Sequence, residues 1–137
     1  MEQTSKELLI KDLAGRLPYG VKSSTKVGGN IKISFMEEDT IIGEDGDSYD
    51  ISFITPYLFP LSSMTEDQKY EFYLRFIAKD CDFYYFKFYL DDGKWHKLPT
   101  SLNAIEAIID WFHKNHIDYR GLIPMGLAID ATNKNIY

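Results

Sequence analysis

The stretch Asn-Ile-Lys-Ile-Ser-Phe, residues 30–35, constrains this chain most. Ile31, Ile33 and Phe35 alternate with Lys32 and Ser34, and residues 48–54 repeat the pattern with Tyr49, Ile51 and Phe53 against Asp50 and Ser52. Period two puts one set of side chains on each side of a strand, so a half-buried sheet follows. Turn chemistry separates the runs at Val27–Asn30, Met36–Asp39 and Gly43–Ser48. Asp45-Gly46 is a strong hairpin signal, because both residues tolerate positive φ better than most. Four antiparallel strands are expected, near 20–27, 30–36, 39–43 and 48–54. Ile31, Ile33, Phe35, Ile51 and Phe53 should face inward; Lys32, Ser34, Asp50 and Ser52 should face away.

Helical spacing flanks this region. Leu8, Leu9, Asp12 and Leu13 form an i, i+4 seam over 4–15, with Thr4 or Ser5 as cap and Gly15 and Pro18 as the stop. Thr65-Glu-Asp-Gln68 reads as a capping box opening a helix over 66–79. A third helix is expected over 101–116, with Leu102, Ile105, Ile108, Ile109 and Phe112 on one face. Residues 55–64, with two prolines in five residues, read as an apolar loop. The aromatic run at 83–90 reads as a strand, with a turn at Asp92-Gly93 and a returning strand in Lys94–Leu98. A short strand is expected near 126–130. The 137 residues suit one domain, 1–137. The fold class is α+β: an antiparallel β-meander, two long helices packed on one face and a short N-terminal helix.

Function classes narrow by composition. The net charge is −6, and only Arg16, Arg75 and Arg120 are arginine. No basic stripe suited to phosphates appears, so no nucleic-acid partner is expected. The lone Cys81 cannot make an internal disulfide. No run is long and apolar enough to span a bilayer, and the N-terminus has no signal-peptide core. The expected setting is cytoplasmic, without a membrane partner. The oligomeric state is left open.

The segment Ile109–Gly121 gathers Asp110, His113, His116, Tyr119 and Arg120. Asp110, His113 and His116 are spaced i, i+3, i+6, so one ion cannot be reached by all three from a regular helix. His96 could supply a further ligand, but the spacing matches no zinc signature. No metal and no cofactor are expected. The acidic tip Glu44, Asp45, Asp47, Asp50 lacks the order of a calcium loop. His116, on the buried face in the last turn, is expected to bond unpaired carbonyls in its charged form; His113 should sit at the border of the polar stripe. Arg16-Leu-Pro-Tyr19-Gly20 and Asp118-Tyr119-Arg120-Gly121 each follow a helix. They are expected to meet, with Arg16, Tyr19, Tyr119 and Arg120 bonding carbonyls or carboxylates, or else forming a recognition surface.

Three segments, Leu8–Lys22, Pro60–Gln68 and Ala107–Ala131, resemble a group of small proteins from gut Bacteroidales bacteria and their phages and mobile elements. The resemblance implies a setting and no activity. The leading expectation is a non-enzymatic accessory protein acting on a protein partner. The alternative is a small hydrolase-like enzyme with a site near His96, Asp110 and His113.

Overall fold

The computed structural model describes residues 1–79, 81–91 and 102–137. The chain is α+β. Helix α1 (Gln3–Arg16) leads into strands β1 (Lys22–Thr25), β2 (Asn30–Glu37), β3 (Thr40–Gly43), β4 (Ser48–Asp50) and β5 (Ile54–Pro60). Then come α2 (Glu66–Phe72), a π-helical turn Tyr73–Ile77, α3 (Phe83–Asp91), α4 (Leu102–Lys114), β6 (Ile117–Asp118) and β7 (Ile129–Asp130). The sheet order is β4-β3-β2-β1-β5-β6, with β7 also on β5. β1 to β4 pair antiparallel as a meander. β5 pairs antiparallel with β1 and parallel with β6 and β7, so the sheet is mixed.

The alternation holds only in part. Ile33 and Ile51 are buried and Ile31 half-buried, but Phe35 and Phe53 are exposed. In β2 the register shifts between Ile33 and Phe35. Such a bulge adds a residue and flips the sides beyond it, so Met36 packs on the core in place of Phe35. At 51–53 the strand gives way to a single 3-10 turn, N-capped by Asp50. Period two stops there, and Ile54 takes the inward position.

Of residues 55–64, expected as loop, 55–60 belong to β5, which begins at Ile54. Its prolines stand at the ends of pairings, Pro56 at the end of the ladder with β1 and Pro60 at the end of that with β6, where a missing amide donor interrupts little. Residues 83–90, expected as strand, are helix α3. Asp82 accepts from the Tyr85 amide at 2.8 Å, the bond an N-cap makes. Phe86 and Leu90, one turn apart, are both buried, with Phe86 5.6 Å from Phe72. Packing against α2 outweighs the strand preference of the aromatics. The turn at Asp92-Gly93, the strand in Lys94–Leu98 and His96 lie outside the described residues.

The box at α2 forms as read: the Gln68 amide donates to Thr65 Oγ1 at 3.1 Å, and Gln68 Oε1 accepts from the Thr65 amide at 2.9 Å. At α1 neither Thr4 nor Ser5 is the cap. The helix starts earlier, with Glu2 at its N-cap and no side-chain cap bond. Gly15 lies inside α1 rather than ending it; the helix runs to Arg16, and a 3-10 turn, Leu17–Tyr19, carries Pro18.

Two cores result. α1 supplies Leu9 and Leu13 to the strand core with Val21, Ile33, Ile41, Ile51, Ile54 and Leu58. α2, α3 and α4 share a second core of Phe72, Phe86, Leu90, Ile108, Trp111 and Phe112 with Ile117 of β6.

Candidate functional site

The two Arg-Tyr reversals meet where the cores adjoin. α1 and α4 pack together, which sets the chain after one helix beside the chain after the other. Arg16 is fully buried. Its Nε donates to Asp12 Oδ2 at 2.7 Å, and its Nη2 donates to Asp12 Oδ1 at 3.2 Å and to the Ile117 carbonyl at 2.8 Å. Arg120 Nε reaches the same carboxylate at 3.1 Å. Asp12 is also fully buried, so one carboxylate compensates two guanidinium groups across 108 residues. Buried charge survives only with this kind of pairing. The guanidinium carbons of Arg120 and Arg16 lie 5.0 and 5.5 Å from the Tyr119 ring centre, a cation–π arrangement. Gly121 follows at φ 79°, a turn a side chain would strain.

Of the four residues expected to meet, Arg16, Tyr119 and Arg120 come together here, while the Tyr19 hydroxyl goes to Asp110 of α4 and that of Tyr119 to His113 rather than to a carbonyl or carboxylate; two residues that hold the corner were missed. Asp12 looked like part of an apolar seam; the signal was Arg16 one turn on. Asp118 is 5 % exposed and accepts from the Leu122 and Ile123 amides at 2.9 Å each, which pins the second reversal. These bonds reach four and five residues along the chain, across the turn at Gly121, so no short-range pattern announces them.

Asp110 and His113 do not form a catalytic pair. Asp110 accepts from the Tyr19 hydroxyl, a bond that also raises the Tyr19 pKa. His113 is buried, not at a polar border, because α1 packs over it. Its Nε2 is 2.8 Å from the Tyr119 hydroxyl. Burial, then the charge of Arg16, holds the imidazole below its ordinary pKa. Burial likewise pushes the Tyr119 phenol up. A Cβ on Gly15 would stand 2.3 Å from His113 Cε1, which explains a glycine within α1. Gly15, Glu106, Ala107, Ile109, Asp110 and His113 line a wide, shallow groove of about 480 Å³.

His116 reverses its expected role. It sits beyond α4 with φ 57°, and its carbonyl accepts from the Phe59 amide at 2.8 Å. Its ring stacks on Tyr137, with centres 3.6 Å apart and planes within 10°. Burial, then Arg16 and Lys22, lowers its pKa to about 4, so it is neutral rather than a charged helix end. Tyr137 in turn donates to the Tyr57 carbonyl at 2.8 Å and accepts from the Lys22 amide at 2.9 Å.

Among the described residues no group of three or more His, Cys, Asp or Glu could hold a metal ion. Among them, too, no helix is long and apolar enough to cross a membrane. The chain matches no family model, no curated protein and no solved structure. Geometry alone therefore describes this corner: its polar groups face one another, and their donors and acceptors are largely consumed in holding the fold.

A different surface is aromatic and open to solvent. α3 leaves Tyr84 84 % and Phe88 68 % exposed, one turn apart, with Tyr85 beside them. Tyr70 meets Phe83 edge-on at 5.5 Å, and Phe83 lies 6.4 Å from Tyr84, so the aromatic surface continues onto α2. Tyr70 and Leu74 are also exposed.

Proposed function

We propose that this chain is a non-enzymatic accessory protein that binds a protein partner in the cytoplasm, in the phage or mobile-element setting its segments resemble. The observation that carries the reading is the exposed aromatic surface of α3. Tyr84 and Phe88 contribute little to the core from their exposed positions, yet large rings in such positions are the side chains that anchor interfaces. The corner of Arg16, Tyr19, Tyr119 and Arg120 is read as structural, because its polar groups are engaged with Asp12, the Ile117 carbonyl, Asp110 and His113. The hydrolase-like alternative has less behind it, since Asp110 and the Nε2 of His113 are each engaged by a tyrosine and the groove they line is shallow.

The test is a Tyr84→Ser/Phe88→Ser variant in proximity labelling and affinity capture from the native host. Exposed substitutions of this kind shift stability by only about 0.5 kcal/mol. Loss of a specific captured protein, at unchanged melting temperature, supports the reading. Equal capture by wild type and variant rejects it. Turnover of an ester or amide substrate that Asp110→Asn abolishes would reinstate the enzyme.

A further inference from the structure

The antiparallel ladder between β1 and β5 joins Ser23, Ser24 and Thr25 to Pro56, Thr55 and Ile54. Past the end of β1 it continues, with the Lys26 amide donating to the Phe53 carbonyl at 3.0 Å. Hydrogen-bonded pairs recur at every second residue of such a ladder. Lys26–Phe53 is one, so Ser24–Thr55 is the next and Lys22–Tyr57 the one after. The register stops short of that last pair. The hydroxyl of Tyr137 stands there instead. It accepts from the Lys22 amide at 2.9 Å and donates to the Tyr57 carbonyl at 2.8 Å. A phenol thus completes a rung where backbone would otherwise bond to backbone.

The ring behind that hydroxyl is held from several sides. His116 lies flat against it, with centres 3.6 Å apart. Phe59 of β5 meets it tilted at 6.0 Å, and Lys22 Nζ is 5.9 Å from its centre. Tyr137 is 41 % exposed as a residue, yet its hydroxyl end is enclosed, and burial pushes the phenol pKa up to about 12. The chain that delivers the ring is held less. Residues 132–135 are exposed, and Asn133 and Asn135 take left-handed φ values of 62° and 53°. The Lys134 amide turns back to the Ala131 carbonyl at 3.1 Å, and Lys22 Nζ donates to the Ile136 carbonyl at 2.9 Å. The ring is the anchor and the segment before it is a tether.

We propose that the slot of Lys22, Tyr57, Phe59 and His116 is a tyrosine-recognition site, filled in cis by Tyr137 and open to a tyrosine side chain of another molecule when residues 132–137 release it. Its specificity lies in the opened rung. A phenylalanine ring would stack on His116 equally well, but it would leave the Lys22 amide and the Tyr57 carbonyl unpaired. An ionised phosphotyrosine could accept from the Lys22 amide but has no hydrogen for the Tyr57 carbonyl. Only a hydroxyl both accepts and donates at one atom. The slot shares no residue with the aromatic surface of α3, so it stands independently of what that surface binds.

Tyr137→Ala empties the slot without touching its walls, and p-cresol, the tyrosine side chain as a free molecule, is the probe. Binding is read from the Lys22 amide and His116 ring resonances and from the melting temperature. The expected result is saturable binding that moves both resonances and raises the melting temperature of the variant. Toluene and p-methylanisole, which cannot donate to Tyr57, should bind about tenfold more weakly or worse. N-acetyl-tyrosinamide should move the same resonances in wild type, at higher concentration than in the variant because Tyr137 competes. Failure of p-cresol to bind folded Tyr137→Ala, or equal binding of toluene, would overturn the site. Wild-type resonances that stay fixed at the solubility limit of N-acetyl-tyrosinamide, where the variant is saturated, would make Tyr137 a permanent fixture and overturn its release. Should Tyr137→Ala not fold, Tyr137→Phe tests the rung alone: the Lys22 amide should exchange with solvent faster than in wild type, and unchanged exchange would overturn the proposal.

Discussion

The core beneath the sheet is aliphatic and spread thin. Leu9 and Leu13 come from α1, and Val21, Ile33, Ile41, Ile51, Ile54 and Leu58 from the chain that follows. The core among α2, α3 and α4 is aromatic and concentrated. Phe72 alone lies 5.0 to 5.6 Å from Phe76, Phe86, Trp111 and Phe112. Branched side chains on strands each fill a small share of the interior, so the loss of one is absorbed by many neighbours. Rings deliver more buried area each, and a single one can sit at the middle of every contact. The first kind of core should therefore tolerate a single truncation better than the second.

The sharpest break of the comparison is Phe72→Ala. It should cost about 3–5 kcal/mol, the range for removing a buried ring, whereas Ile41→Ala should fall at the low end of the about 2–5 kcal/mol range for truncating a buried aliphatic side chain. Denaturant unfolding measures both. Equal costs would mean that the two cores are organised alike.

Asp12→Ala tests what ties the cores together. It strands buried Arg16 without its counter-charge and should cost about 3–5 kcal/mol. Amide hydrogen exchange should then separate the cores, with α4 losing protection before β3. Arg120→Ala, which leaves the Asp12–Arg16 pair intact, should cost less, about 1.5–3 kcal/mol for one charged hydrogen bond. An Arg120→Ala variant with unaltered melting temperature that loses a partner would make this corner the working surface instead.

The smallest effect is a pH slope. His116 is held near pKa 4 in the folded chain against 6.5 ordinarily. Between those values the unfolded chain takes up a proton that the folded chain refuses. Stability is therefore full above about pH 6.5 and declines as the pH falls toward 4. Since the ring is partly open to solvent, the discounted contribution is about 1–2 kcal/mol. His116→Phe should remove that part of the slope when its stability curve is subtracted from that of wild type. A difference that stays flat from pH 7 to 4 would show that His116 does not sense the burial.

The contrast between the cores also explains what could be read from sequence. The aliphatic core lies on strands whose outer residues are polar, so alternation revealed it until the bulge in β2 and the turn at Ile51–Phe53 broke the period. α3 gave no such contrast. Its exposed Tyr84 and Phe88 are as apolar as its buried Phe86 and Leu90, so no helical stripe distinguishes one side from the other. The capping box at Thr65 was plain, because its partners are three residues apart. The Asp12–Arg120 bond was not, because it depends on how α1 meets α4. The meeting of the two Arg-Tyr reversals was anticipated from their likeness; which carboxylate joins them was not.

The close fit of Gly15 against His113 reaches beyond stability. Two positions 98 residues apart in the chain share one small volume, so neither can drift alone. A lineage that gains a methyl at position 15 must lose the imidazole at position 113, and one that keeps the imidazole must keep the glycine. Libraries randomised at both positions should return paired solutions, with Gly15→Ala recovered beside a small residue at position 113 and absent beside histidine. Those two columns would form a covarying signature by which distant relatives of this chain could be told from chance resemblance.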